Sequence, residues 1–296
     1  MNAEPDWTLY RTFLAVVGEG SLSGAARQLG LTQPTVARHV DALEAALGAN
    51  LFLRSQRGLV PTEMALDLKP YAETLASTAA ALLRTASARA GEVSGSVRVS
   101  ASEVVGVEHL PPILARLRRR HPGLVIELVL SNAVDDLLQR DADIAVRMVE
   151  PAQETLVARR LPPIALGLYA HRGYLERYGT PTSTEDLARH DLIGFDRGTP
   201  AVRAIVGRFP ALDRPAFALR TDSDLAQLAA IRSGIGVCQV PVARRDPDLV
   251  RVLADAVSVD LGLWIVMHED LKTNARCRAV FDALADGLSR PVAAAG

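Results

Sequence analysis

Cysteine and lysine are nearly absent from this 296-residue chain, which has two of the first, Cys238 and Cys277, and two of the second, Lys69 and Lys272. The cysteines stand far apart with no second thiol beside either. That excludes a disulfide framework and a Cys-x-x-Cys metal site, and suits a reducing cytosol. Basic charge falls to arginine, a bias that a GC-rich genome produces as readily as a need for bidentate contacts. A charge excess is missing too. At a formal net charge of -1, bulk attraction cannot hold nucleic acid, and any such contact must be local and geometric. No apolar run approaches a membrane span, and Met1 to Asp6 carry no basic leader, so neither export nor membrane insertion is expected.

Catalytic constellations are also lacking. His39, His109, His121, His171, His190 and His268 are scattered, with no His-Glu-x-x-His, no Gly-x-Ser-x-Gly and no paired carboxylates on a recognisable helix. Gly234-Ile-Gly236 precedes a strand pattern rather than following one and lacks a third glycine, so a tight helix-to-strand turn accounts for it. These residues point to no enzyme, no metal and no resident cofactor.

What is present is an apolar fraction of 49% in a chain long enough for two or three packed units. Leu9, Phe13, Val16 and Val17 recur at helical spacing after Asp6, a plausible N-cap, and mark a supporting helix. Ser21 or Ser23 can cap the next, whose Ala25, Ala26 and Leu29 give a small-residue face. Gly30 closes it. Thr32 then caps a third helix, with Pro34 tolerated in the first turn. Its core side is Val36, Val40, Leu43 and Leu47, and Pro34, Arg38, Asp41 and Ala45 lie opposite. Gln33 and Thr35 sit at its leading end, where a helix can enter a major groove. Gln offers a donor and an acceptor to adenine, and Arg binds guanine or phosphate. Gln33 and Arg38 can equally solvate the outer face of a core helix; the two-helix turn and the hairpin after it favour DNA. In that hairpin, Leu51 to Arg54 and Leu59 to Thr62 read as strands around Ser55-Gln-Arg-Gly58. Arg57 at its tip suits a minor groove, and Arg54 a phosphate.

These residues carry a resemblance. Phe13, Val16, Glu19, Ser21, Ala25-Ala-Arg27, Leu29, Thr32-Gln-Pro34, Val36, Arg38, Leu43-Glu44, Leu47-Gly48, Leu51-Phe52, Arg54, Arg57 and Thr62 resemble the winged helix-turn-helix of LysR-type transcriptional regulators. Two positions depart from that pattern: Ala37 stands where the family often has serine, and Leu66 where glycine is common. By the resemblance, DNA contacts are expected from Thr32, Gln33, Pro34, Thr35, Arg38, Arg54 and Arg57. Met64, Leu68, Tyr71, Leu75, Ala79 and Leu82 form an apolar seam near coiled-coil spacing, expected to be kinked at Pro70. In the family that segment is the dimerising linker helix.

After a polar, glycine-containing break at Gly91 to Ser96, strand and helix alternate. Strands are expected at Val97–Ser100, Leu124–Leu130 and Ile144–Val146, with helices at Leu110–Arg120 and Val134–Arg140. The pattern resumes with strands at Ile164–His171, Leu192–Phe195, Ala216–Arg220 and Ile235–Val240 and a helix at Ser223–Ser233. A parallel doubly wound sheet and two α/β lobes with a cleft between them follow. Leu110-Pro-Pro-Ile-Leu114, His121-Pro122, Asp143 to Arg147, Ala229, Ser233-Gly-Ile-Gly-Val237 and Pro241 resemble, more weakly, the periplasmic-binding-protein-like effector domain of the same family.

The expected architecture is therefore α+β and multidomain: a winged helix-turn-helix over 1–62, a linker and dimerisation helix over 63–90, and an effector domain over 91–296. Its first lobe takes in about 91–160 and 267–296, its second about 161–266. Strand ends give the candidate effector contacts: Ser100, Ser102, Glu103, Ser131, Asn132 and Arg147, with Phe195, Thr221 and Asp222 from the second lobe. Short hydroxyls and an arginine suit a carboxylate or other polar anion, although Arg147 can instead pair with Glu150 and the serines can cap helices. A solute-binding receptor matches the second half alone but needs export. A winged-helix protein with an unrelated sensor is the other alternative. The resemblance implies a cytoplasmic homodimer or homotetramer that binds double-stranded operator DNA and a small effector, and RNA polymerase if it activates.

Overall fold

The computed structural model describes residues 5–55, 58–86, 93–132, 142–151, 156–198, 207, 209, 212 and 214–290. Arg57 and the expected helix Val134–Arg140 lie outside them, as do Gly91 and Glu92 of the polar break. Contacts divide the chain into a unit spanning Met1–Ser87 and another drawn from the residues after it.

In the first unit, α1 (Trp7–Glu19) starts at Asp6, whose carboxylate accepts from Thr8 N at 2.7 Å. Helix α2 (Leu22–Leu29) is capped by Ser21, which accepts from Gly24 N at 3.1 Å, and stops at Gly30 with φ 66°. That left-handed value favours glycine, and it turns the chain into α3 (Gln33–Leu47) within three residues. Val16, Ala25, Val36 and Val40 pack where the three helices meet. Phe13, Leu43 and Leu51 form a second cluster with Ala65 and Ala72. Leu47, expected on the core side, is 39% exposed; that second cluster closes without it.

Strands β1 (Phe52–Ser55) and β2 (Gly58–Pro61) form the antiparallel wing. Two contacts fix it: Leu59 N donates to the Gly20 carbonyl at 2.9 Å, and Glu44 Oε1 accepts from Leu51 N at 2.6 Å and Phe52 N at 3.2 Å. Glu44→Ala leaves two inward-facing donors without that acceptor, a loss of about 2 kcal/mol. We expect a lower denaturation midpoint for the first unit, largely restored in Glu44→Gln; an unchanged midpoint would refute the assignment.

Helix α4 (Glu63–Ala86) is opened by Thr62, whose hydroxyl accepts from Ala65 N at 3.2 Å. Pro70, where a kink is expected, lies inside this helix, and the Thr74 hydroxyl donates to the Pro70 carbonyl at 2.9 Å. The expected seam divides. Leu68 turns inward beside Ala65 and Ala72 to pack on α1 residues, whereas Met64, Tyr71, Leu75 and Leu82 are exposed.

The second unit runs β3 (Gly95–Ala101), a π-helical turn Val105–His109, α5 (Leu110–Arg120), β4 (Leu124–Leu130), β5 (Ile144–Arg147), β6 (Leu156–His171), α6 (Arg172–Tyr178), β7 (Leu192–Gly194) and β8 (Phe217–Arg220). It continues with α7 (Asp224–Ala230), β9 (Ile235–Gln239), α8 (Val240–Ala243), β10 (Leu249–Val252), β11 (Ser258–His268) and α9 (Ala275–Ser289). The sheet order is β4-β3-β5-β11-β6-β9-β7-β8, with β10 beside β6. The expected parallel sheet is found only in part. Pairs β3–β4, β3–β5, β7–β8 and β7–β9 are parallel, but β11 is antiparallel to β5 and β6, and β6 is antiparallel to β9 and β10. The sheet is mixed because β6 and β11 run side by side from one lobe to the other, and chains crossing in opposite senses must pair antiparallel. Their register shifts between Leu261 and Leu263, where Gly262 faces Pro162 and Pro163, residues that cannot donate to a ladder.

Each lobe has its own core. Val97, Val99, Leu110, Leu117, Ile144, Ile265 and Phe281 pack in the first, and Leu168, Tyr174, Leu192, Phe217, Ile235 and Val252 in the second.

Candidate DNA-reading surface and ligand cleft

Thr32 fixes where α3 begins: its hydroxyl accepts from Thr35 N at 3.4 Å and lies 2.8 Å from the Thr35 hydroxyl. Burial of Val36, Val40 and Leu43 then sets the helix rotation. Thr32, Gln33, Pro34 and Arg38 are left exposed, with Thr35 half-buried. Ser23 on α2 donates to Gln33 Oε1 at 3.2 Å, so the glutamine is pre-positioned across the turn. Arg54 is exposed on β1. An exposed helix end with backbone N–H groups, a bidentate amide and an arginine can contact phosphate and base edges together.

In the second unit, β3, β4 and β5 end close to one another. Ser100 and Arg147 are buried, and Arg147 Nη2 donates to Ser100 Oγ at 2.7 Å. The Ser102 hydroxyl is buried and has no hydrogen-bond partner among the described residues. Ser131 N donates to the Ala101 carbonyl at 2.9 Å. Asn132 binds both lobes: its Oδ1 accepts from Glu103 N at 3.1 Å, and its Nδ2 donates to Asp224 Oδ2 at 3.2 Å. The Glu103 carboxylate meets the start of α7, accepting from Ser223 Oγ at 2.9 Å and Leu225 N at 3.2 Å. Glu103, Asn132, Ser223 and Asp224 thus span the two lobes.

Burial, then the nearby Glu103 carboxylate, push the Asp224 carboxyl up to about 6, against the Asn132 hydrogen bond. The native chain keeps a proton there that an unfolded aspartate releases near 4, so this site stabilises the fold less as pH rises from about 4 to 6, and the deficit persists above. Asp224→Asn keeps an acceptor for Asn132 and removes the charge. Melting should show a gain of about 1–3 kcal/mol at pH 7.5 and almost none at pH 4; equal gains at both would sink the account.

Two family models divide the chain between them. One for a bacterial regulatory helix-turn-helix protein, lysR family, matches residues 7–66, and one for a LysR substrate binding domain matches residues 90–289. The chain belongs to the LysR family. As a LysR-type regulator it is a DNA-binding transcription regulator with an effector-binding domain, and not an enzyme. It is similar to the transcriptional regulator CrgA of Neisseria meningitidis, 31% identical over 286 residues that cover 93% of this chain and 95% of that one. The probable regulator LtrA of Klebsiella pneumoniae is 26% identical over 307 residues, 97% of this chain and 95% of its own. The solved structure of CrgA superposes with a TM-score of 0.59 at 28% identity, over 97% of this chain and 100% of that one. That of CbnR, at 21% identity and a TM-score of 0.70 over 96% of this chain and 100% of that one, shares the fold. No helix among the described residues is long and apolar enough to cross a membrane.

Within this LysR domain the singled-out residues separate. Ser100, Ser102, Glu103, Ser131, Asn132 and Arg147 lie at the ends of β3, β4 and β5. Thr221 is turned to its own loop: its hydroxyl accepts from Ser223 N at 3.2 Å and its carbonyl from Gln227 Nε2 at 2.8 Å. The Asp222 carboxylate accepts from Asp196 N and Arg197 N at 3.2 and 2.8 Å and meets Arg197 Nε at 3.3 Å, so it shapes the turn after Phe195, which is half-buried. Sequence reasoning missed Ser223 and Asp224. The helix start at Ser223 was legible; the approach of Glu103 from the other lobe had no local signal.

Proposed function

We propose that this LysR regulator reads a two-fold symmetric operator with paired copies of α3. The exposed leading end of that helix, where Gln33 is held by Ser23 and Arg38 stands free of the core, carries the reading. Thr32, Pro34 and Thr35 frame the helix end against phosphate, Arg54 holds the backbone from the wing, and Arg57, outside the described residues, is assigned the minor groove. The protein works in the cytoplasm as a homodimer or homotetramer, and contacts RNA polymerase if it activates. A structure of CbnR is of that protein with its target DNA, which supports the same mode here at the level of fold. Counterion release makes affinity fall steeply with salt.

The effector is a small carboxylate or similar polar anion that enters between the lobes and meets Ser100, Ser102 and Arg147. The buried Ser102 hydroxyl and the buried guanidinium support that chemistry. By linkage, the ligand changes operator binding only as far as it prefers one arrangement of the protein. Genome-wide mapping of bound DNA, followed by thermal-shift titration with carboxylates made or consumed by the neighbouring gene products, tests both parts. Bound sites without a two-fold element would overturn the first; a carboxylate that stabilises wild type and Arg147→Ala equally would overturn the second.

A further inference from the structure

Gln33, the first residue of α3, is exposed, yet one end of its amide is tethered. Ser23, the second residue of α2, reaches across the turn, and its hydroxyl donates to Gln33 Oε1 at 3.2 Å. Neither side chain is needed for capping. Ser21 caps α2 by accepting from Gly24 N at 3.1 Å, and Thr32 caps α3 by accepting from Thr35 N at 3.4 Å. Among the described residues the Ser23 hydroxyl bonds nothing else, and Gln33 Nε2 donates to no group. Ala25 and Ala26 of α2 and Val36 of α3 pack in one buried cluster. That core holds the two helix ends at a set spacing, so the tether joins two fixed points.

A glutamine amide has two ends of opposite character, a carbonyl that accepts and an NH₂ that donates. With both ends facing a base edge it matches adenine, which offers N7 as acceptor and N6 as donor. Guanine offers two acceptors, N7 and O6, and suits a group that presents donors alone. With Oε1 turned back on Ser23, the outward end of Gln33 is Nε2 with its two N–H groups. We propose that Ser23 is a specificity-determining positioning residue, which orients the Gln33 amide so that it reads guanine in place of adenine. Ser23 acts through Gln33 and touches no base itself. The inference rests on the reading of α3 as the DNA-reading helix, and adds which base edge the first residue of that helix selects.

In vitro selection of the full chain on random-sequence duplex DNA, followed by binding to a panel in which each base pair of the selected half-site is changed in turn, tests it. Gln33→Ala locates the pair that Gln33 reads, as the one where base preference is lost. There the wild type should favour guanine over adenine by about fivefold or more, and 7-deazaguanine, which lacks the N7 acceptor, should abolish that preference. In Ser23→Ala the amide can turn, and the two bases should come within about twofold of each other or change order, with affinity for scrambled DNA unchanged. Ser23→Thr keeps the hydroxyl and should keep the guanine preference. Adenine preferred by the wild type, or a wild-type preference retained in Ser23→Ala, overturns the proposal while leaving α3 as the reading helix. Equal losses on selected and scrambled DNA in Ser23→Ala make Ser23 a phosphate contact and overturn it too. If Gln33→Ala changes base preference at no pair, base reading by Gln33 fails, and this proposal with it.

Discussion

The double variant Gln33→Ala/Arg38→Ala is expected to lose specific operator binding almost completely while remaining folded and of unchanged oligomeric state. Each side chain reading a base edge contributes about 1–3 kcal/mol of discrimination, and each acts twice on a two-fold operator. The drop is therefore at least a hundredfold, bounded below by the nonspecific affinity that phosphate contacts alone supply. Neither residue packs in the core: Val36, Val40 and Leu43 hold α3 in place, and Thr32 caps it. Footprinting and quantitative binding on operator and scrambled DNA separate the contributions. A base-reading residue costs affinity on the operator only, and a phosphate contact costs it equally on both. A footprint unchanged in the double variant would remove α3 from the role of reading helix.

Much of this surface was legible in the sequence because local chemistry determines it. Asp6, Ser21 and Thr32 act as caps within three residues of the donors they satisfy, and the left-handed turn at Gly30 needs only its own residue type. Leu110–Arg120 and Leu124–Leu130 were legible with the same boundaries, the first from its helical apolar spacing and the second from a run apolar at every position but Glu127. The crossing strands were legible only in part: Ile164–His171 is the second half of β6, but its first half and the length of β11 were not. β6 carries Pro162-Pro163, which reads as a break, and β11 changes register at Gly262, so neither keeps one alternation along its length. Only the pairing of two distant segments makes each a strand, and with them the sheet becomes mixed. The cleft follows the same division. Strand ends pointed to Ser100, Glu103 and Arg147, but the Asp222 carboxylate serves its own turn, and the Asp224 pKa is raised first by burial and then by a carboxylate 121 positions earlier in the chain.

Tyr71→Glu/Leu75→Glu should have the other large effect, on assembly. Helix α4 has two apolar faces, one packed and one exposed. Ala65, Leu68 and Ala72 pack on the first unit's own core, whereas Tyr71 is 73% exposed and Leu75 47%. Together with Met64 and Leu82 they step by seven, four and seven residues, the spacing of a coiled-coil seam. A partner helix is the economical cover for so long a row. Carboxylates at its centre would be desolvated and face like charges on the second copy, which opposes association on both counts. The substituted side chains are solvent-facing in the single chain, so the winged helix-turn-helix should melt as before. Sedimentation should show the mass falling to a smaller species. Operator affinity should fall by roughly 10²- to 10⁴-fold, because half-site contacts no longer share one effective concentration. If the mass stayed unchanged while affinity held, α4 would pair through some other face; if the isolated chain unfolded, the exposed row would belong to its own core after all.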